Sequence, residues 1–413
     1  MARIDVTIER DQEVFVGIDV SLRSYAVAIR SGGALVCRCT VPSRYEHLRS
    51  LWSRMPGCRI HAVYEAGFSG FGLYDAMCQD GIDATVTPPS KVPRSGDRVK
   101  TDRLDAQKLA AELEHGGLRR CRIPEPSLRV DREWSRYLIQ LTAQQTRLKN
   151  QIKMRLALYG LTPPLDGPRR WSRAYRAQVL AIADPEGPLH AILRDMLEQL
   201  AEVERRGTEV KRTLRQLARS DAYRPAVQLL QSAPGIGWLT AVRLVLEWGN
   251  LSAFSNGASF ASYLGLTPSE HSSGERTRRG GITRQGNGQV RSWLIEAAWK
   301  AITMDPALGA RFRRLAPRPA NRTRAIVAVA HTLALRLRAC WPKVRTALCH
   351  RCGSLISNGC RRRLKTPRCK WEDHAQALVN GNTPETIVRL SASQCHPHRT
   401  IPCARPPQAD DHG

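Results

Sequence analysis

Val14-Phe15-Val16-Gly17-Ile18-Asp19-Val20 is an apolar run that carries a carboxylate near its end. β-Branched and aromatic side chains suit a pleated backbone, so the run predicts a strand. Outward from it, Ser24–Arg30 alternates through Tyr25, Val27 and Ile29, and Ala34–Thr40 follows the pair Gly32-Gly33. Two glycines between such runs signal a hairpin. Leu48, Leu51 and Trp52 mark a short helix, Ile60–Glu65 a fourth strand, Gly70–Gln79 a helix and Ile82–Thr87 a fifth strand. Three meandering strands followed by alternating helix and strand predict a mixed sheet with helices packed on it, an α/β domain. Pro88–Lys100 reads as a basic loop, and Thr101 can cap a helix whose Leu104, Leu109 and Ala110 share one face.

The chain changes character after residue 130. Leu138, Leu141, Leu148, Ile152 and Leu156 recur at mostly helical spacing, and a second amphipathic helix covers Leu189–Leu217. A break containing Pro163, Pro164, Gly167 and Pro168 separates them. Two such stripes suit either a helical hairpin within one chain or a coiled-coil arm that pairs with a second chain. Residues 222–342 read as a further, mainly helical unit. It has a helix ending at Leu230, the turn Pro234-Gly235-Ile236-Gly237, and a helix over Leu239–Trp248. A Gly- and Arg-rich stretch, Gly265–Gly288, leads to apolar helices over Val290–Thr303 and Thr323–Cys340.

Charge points to the partner. Lys and Arg number 64 against 37 Asp and Glu, a formal net charge of +27 that favours a polyanion, with nucleic acid the default. An apolar content of 42% excludes a chain disordered throughout. No apolar run approaches the ~20 residues that span a bilayer, and Met1–Val14 has no signal-peptide core. The expectation is therefore a protein of the cytoplasm with no membrane partner. Six of the 12 cysteines lie from Cys349 onward and the rest are scattered, which is not a disulfide framework.

Carboxylates supply the first chemical signal. Asp19 ends one apolar strand, Glu65 ends another, and Lys100-Thr101-Asp102-Arg103-Leu104-Asp105-Ala106 opens a helix. Asp102 and Asp105 are three apart, so both project from one face of its first turn. Singly each has an ordinary explanation: strand-end residues, or acids favoured by the helix dipole. Together, four carboxylates repel unless hard cations neutralise them, and Mg²⁺ prefers such oxygen donors. Two Mg²⁺ ions could clamp the attacking and leaving oxygens of a phosphodiester.

The second signal is Ser272-Ser273-Gly274, followed by Arg276, Arg278, Arg279 and Arg284. Guanidinium forks suit phosphate oxygens, so the stretch reads as a phosphate-binding basic loop. A serine there could also attack a phosphodiester if its hydroxyl is activated. The glycines of Pro234-Gly235-Ile236-Gly237 either let amides approach phosphate or make a plain helix–helix turn.

Gly17-Ile18-Asp19-Val20, Tyr64-Glu65-Ala66 and the Lys100–Ala106 motif resemble the DEDD set of RuvC-like insertion-sequence transposases, the IS-one-ten family of bridge-RNA-guided DNA recombinases. The stretches beginning at Leu229 and Gly265 are similar to that family's second domain. The resemblance implies an RNase H-like (RuvC-like) catalytic domain over 12–125, a helical spacer over 126–221 and a mainly α transposase domain over 222–345. It implies that Asp19, Glu65, Asp102 and Asp105 ligate metal, with a two-ion Mg²⁺ site. It also implies that Ser273, or Ser272 beside it, forms a covalent link to DNA. Lys100, Arg103, Arg276, Arg278, Arg279 and Arg284 are the matching nucleic-acid-binding candidates. The implied partners are donor and target DNA, a guide RNA, and further copies of the chain as dimer or tetramer, with Ser273 of one subunit meeting the carboxylates of another. Its setting would be the bacterial cytoplasm, in action at the nucleoid. The other readings are a RuvC-like nuclease or Holliday junction resolvase that uses water as nucleophile, and a non-catalytic nucleic-acid-binding protein.

Residues 346–413 fall outside the resemblance. Cys349-His350-Arg351-Cys352 could be half a zinc site, but Cys360 and Cys369 do not repeat the spacing. The tail reads as basic and disordered. Trp134, Trp171, Trp293 and Trp299, together with His61 and His331, read as packing residues.

Overall fold

The computed structural model describes residues 8, 10–89, 102–162, 171–249, 251, 254–270, 279–283 and 286–349. The chain divides into two compact units, Met1–Glu125 and Pro126–Gly413.

In the first unit the alternation of the opening residues becomes a five-stranded sheet. Its strands are β1 (Glu13–Val20), β2 (Ser24–Ser31), β3 (Ala34–Pro42), β4 (Arg59–Glu65) and β5 (Asp83–Thr87). Their order is β3-β2-β1-β4-β5. β1, β2 and β3 form an antiparallel meander, while β4 pairs parallel with β1, and β5 with β4. Helix α1 (Tyr45–Trp52) precedes β4, and α2 (Gly72–Gln79) connects β4 to β5. One sheet face carries Val14, Val16, Ile18, Ile60, Ala62 and Tyr64. They bury against Leu48, Leu51 and Trp52 of α1 and Leu73 and Met77 of α2.

The opposite face receives α3 (Asp102–Glu114). It packs through small residues, Ala106 and Ala110 against Ala26 and Ala28 of β2. Close approach depends on Gly17 in β1. A Cβ there would overlap the carbonyl oxygen of Ala106 and meet the amide nitrogen of Ala110. The mixed sheet and its flanking helices match the sequence expectation, and each expected strand begins within a residue of its observed start.

Among the described residues the second unit is almost wholly helical. It comprises α4 (Pro126–Leu158), α5 (Arg173–Ala181), α6 (Pro188–Arg219), α7 (Arg224–Gln231), α8 (Trp238–Trp248) and α9 (Gly257–Leu264). A small antiparallel pair follows, β6 (Pro268–Glu270) with β7 (Arg279–Ile282). Then come α10 (Gly288–Met304), α11 (Pro306–Leu315), a 3₁₀ turn at Pro319–Asn321 and α12 (Arg322–Cys349).

The long apolar stripes of α4 and α6 meet each other within the chain. Leu138, Leu141, Leu148, Ile152 and Leu156 bury in one cluster with Leu193, Leu197, Leu200, Val203, Val210 and Leu214. Gly207 admits Leu138, and Gln145 donates to Glu204 at 2.8 Å, so the two helices run antiparallel. Of the two readings of these stripes, the single chain shows the helical hairpin. Burial against the sister helix has already removed them from solvent. The same cluster continues through α7, α8, α10 and α12. Trp171 and Trp293 pack against it as expected, while Trp134 and Trp299 lie partly exposed. Among the described residues no helix is long and apolar enough to cross a membrane.

Candidate active site

The carboxylates of the first unit are placed by strand register and by the direction of α3. Ile18 of β1 stands opposite Tyr64 of β4, so Asp19 and Glu65 come one step later on adjacent parallel strands. Side chains alternate across a strand. Ile18 and Tyr64 face the α1–α2 core, so Asp19 and Glu65 face the α3 side. Both are half-buried. Glu65 sits between two fixed neighbours. The Tyr64 hydroxyl donates to the Gly70 carbonyl at 2.9 Å, and the Ala66 amide donates to the Thr87 carbonyl at 2.8 Å.

α3 runs opposite to β1. At its C-terminal end Glu114 accepts from Arg30 at 2.7 Å and from the Gly33 amide at 2.7 Å. Arg30 pairs with Phe15, near the start of β1, while the middle of α3 lies over Gly17. The first turn therefore points to the Asp19–Glu65 end of the sheet. Asp102 lies one turn before Ala106 on the sheet-facing stripe. It is exposed, as is Arg103, while Asp105 is half-buried with Lys108 Nζ at 3.9 Å.

The three motifs thus reach one end of one sheet face. An all-oxygen donor set of this kind fits a hard divalent cation. Among the described residues, however, no three His, Cys, Asp or Glu side chains converge closely enough to hold an ion.

A cleft of about 290 Å³ opens at the same end of β1, on the other face of the sheet, and Val20, Leu22, Tyr25 and Phe68 line it. Leu22 is 80% and Phe68 65% exposed. Hydrophobic periodicity singles out neither. Their signal is an apolar side chain in a turn, Phe68 within Gly67-Phe68-Ser69-Gly70. Cys37 and Cys39 on β3 are free thiols, and burial pushes Cys39 up to about 11, so it is not a thiolate nucleophile at neutral pH.

In the second unit the Gly265–Gly288 stretch is described only at its ends. Ser272, Ser273, Arg276, Arg278 and Arg284 lie outside the described residues, as do Lys100, Thr101 and the cysteines after Cys349. Arg279 begins β7. Gly265, in the left-handed region at φ 65°, caps α9, and the Thr283 amide donates to the Thr267 carbonyl at 2.9 Å. Gly235 has a packing reason of its own. It has φ +83°, and a Cβ there would overlap the Ala297 carbonyl of α10. Nothing crowds Gly237, which precedes α8.

Comparison with known proteins assigns both regions. A family model for the DEDD transposase of IS110 matches residues 16–160, and one described as the transposase IS116/IS110/IS902 family matches 227–313. The chain belongs to the IS110 family of transposases. The transposase y4qE of Sinorhizobium fredii, so named provisionally, is 29% identical over 73% of this chain and 74% of its own length. A family 20 transposase from Pseudomonas aeruginosa, also provisionally named, is 26% identical over 68% of this chain and 82% of its own. The transposase for insertion sequence element IS1111A of Coxiella burnetii is 26% identical over 62% and 68%. Enzymes of this kind cut and join DNA. The first model spans Asp19, Glu65, Asp102 and Asp105, and the second spans the serine-bearing stretch.

Proposed function

We propose that this transposase is a Mg²⁺-dependent DNA recombinase that cuts through a covalent serine–DNA intermediate and is guided by a noncoding RNA. The observation that carries the metal half is the meeting of Asp19 and Glu65 on neighbouring strand ends, with the first turn of α3 aimed at them. On this reading the first unit is an RNase H-like, RuvC-like domain. Asp19, Glu65, Asp102 and Asp105 hold the cation. Bound Mg²⁺ supplies Lewis acidity at the scissile phosphate. Ser273, with Ser272 as the alternative, attacks phosphorus and releases a 3′ or 5′ hydroxyl. Arg276, Arg278, Arg279 and Arg284 neutralise the phosphate oxygens as charge builds on them. Lys100 and Arg103 bind the strand beside the carboxylates.

Strand exchange needs two duplexes and more than one active site, so the working form is a dimer or tetramer on DNA. The decisive experiment is denaturing capture of protein–DNA adducts during excision of the element in cells. An adduct that depends on Ser273 or Ser272 supports the proposal. Excision without any adduct refutes it in favour of a water-using RuvC-like nuclease.

A further inference from the structure

Glu247 is a carboxylate in an unfavourable place. It is 5% exposed and stands at the C-terminal end of α8, where the helix dipole opposes negative charge. A buried charge is costly unless it is paired. Here α4 provides the pairing. Arg132 Nε donates to the Leu246 carbonyl at 3.0 Å, its Nη2 donates to the Glu247 carbonyl at 3.2 Å, and it stands 3.7 Å from the Glu247 carboxylate. Arg136 Nε donates to Oε1 at 3.3 Å. These interactions cap the end of α8 and offset the charge; the arginine hydrogen bond to the carboxylate goes to Oε1, while Arg132 approaches Oε2 only at ion-pair distance.

Asn287 takes Oε2. Its Nδ2 donates to it at 3.1 Å, while its Oδ1 accepts from the amides of Gln289 and Val290 at 3.0 and 3.2 Å. The carboxylate can only accept and the amides can only donate, so the orientation of the Asn287 amide is forced. One side chain thus both caps α10 and ties its start to α8. The residue before it is equally constrained. Gly286 has φ +94°, and a Cβ there would overlap the Tyr263 carbonyl. Two consecutive residues therefore fix the point at which the serine-bearing stretch rejoins α10.

We propose that Glu247 is a positioning residue, a buried carboxylate clamped by Arg132 and Arg136 that holds Asn287 and so sets the exit of the Gly265–Gly288 stretch. The inference rests on the reading of Ser273 as nucleophile, for which a displacement of about 1 Å costs on the order of 10²-fold in rate.

Asn287→Ser isolates the tie. Serine still caps a helix but is too short to reach Glu247. In the full-length protein, hydrogen exchange at the amides of residues 279–291 should accelerate at least about tenfold, while those of residues 241–246 and 294–301 keep their protection. Excision of the element from a plasmid carrying it with its flanks should fall at least about tenfold. The exchange of roles in Glu247→Gln with Asn287→Asp lets glutamine donate to aspartate, which also caps, and should restore both readouts. Unchanged exchange in Asn287→Ser overturns the inference, as does failure of the double variant to restore it. Accelerated exchange with full excision also overturns it if either Ser273→Ala or Ser272→Ala abolishes excision. If those serine variants excise normally, the serine reading fails instead, and the exchange data still decide the tie.

Discussion

Gly17 lies directly beneath the carbonyl oxygen of Ala106. The contact sets the depth at which α3 sits on the sheet, and with it the reach of Asp102 and Asp105 toward Asp19 and Glu65. The glycine of the Gly17-Ile18-Asp19-Val20 motif is thus needed for helix packing rather than for a turn. Gly17→Ala puts a methyl group against backbone that cannot rotate away. Overpacking of this kind costs about 1–3 kcal/mol, occasionally more. The expected outcome is a lowered thermal midpoint together with loss of strand cleavage. Gly72→Ala, at the start of α2 with open space around it, should leave both unchanged. An unaltered midpoint for Gly17→Ala would mean that α3 does not sit as described.

The carboxylates carry separate expectations for cutting and binding. Asp19→Ala, Glu65→Ala, Asp102→Ala and Asp105→Ala each remove a proposed ligand and a negative charge. Cleavage should be abolished, while affinity for DNA stays level or rises because less charge repels phosphate. Chelation of divalent ions should stop cleavage by the unaltered protein and leave binding intact. Cleavage at full rate in excess EDTA would remove the metal from the mechanism.

How far the sequence reached differs between the two units for physical reasons. In the first, β-branched alternation survives in the structure because every strand has one face on a core. Asp19 and Glu65 could be placed on strand ends from the pattern alone. Their common face needed the register of β1 with β4, and their relation to Asp102 needed the direction of α3. In the second unit the long stripes were legible, but which surface would cover them was not. A stripe looks the same whether a sister helix or another copy buries it. The short helices α9 and α11 were missed although their caps were in view. Asn256 forms a capping box with Ser259, and Asp305 caps α11 ahead of Pro306. The tie from Asn287 to Glu247 joins residues 40 apart, and no spacing rule announces it.

An acid-sensitive contribution to stability sits far from the chemistry. Arg49 and Tyr45 of α1 donate to Asp80, which lowers its pKa to about 2, the Arg49 hydrogen bond being the larger cause. A depressed carboxylate pKa stabilises the fold above the ordinary carboxylate range, and the benefit is lost as pH falls through the folded value. Asp80→Asn should therefore lower the urea midpoint at pH 7. The gap from the unaltered protein should narrow as pH drops below about 4 toward 2. A gap that stays constant down to pH 3 would show that the Asp80 charge is not its source.

Arginines at the α11–α12 junction should govern salt dependence. Arg313, Arg314, Arg318, Arg322 and Arg324 are exposed, and residues 306–349 contain no Asp or Glu. Arg322 lies 6.0 Å from the ring of Trp299, which stands edge-on to Phe312. Cations at the start of α12 work against its dipole, an arrangement that suits phosphate rather than helix stability. Replacing Arg318, Arg322 and Arg324 by Gln should weaken binding to duplex DNA of any sequence. It should also reduce the slope of log affinity against log salt by about 0.9 for each phosphate that is no longer neutralised. Arg205→Gln with Arg206→Gln is the control, since Glu202 and Glu209 already engage those side chains. Equal slopes for the two sets would rule the junction out as a phosphate-binding surface.

The nucleophile can be tested apart from the metal. A serine that attacks phosphorus leaves a phosphodiester between its Oγ and the DNA, and that bond survives denaturation. Ser273→Ala should eliminate the adduct and excision together while DNA binding persists, because every phosphate-binding group is still in place. Ser272→Ala should retain adduct formation if its neighbour is the nucleophile, and the reverse pattern would move the role one residue earlier. Ser273→Cys sharpens the test. A thiol at this site can still attack, though with different charge and size, so a slow residual adduct through sulfur marks position 273 as the attacking atom's position. A hydrolytic enzyme would show no adduct in any of these proteins, and alanine at both positions would leave its cutting intact. That single pattern would transfer the attack from serine to water while leaving the carboxylate site as described.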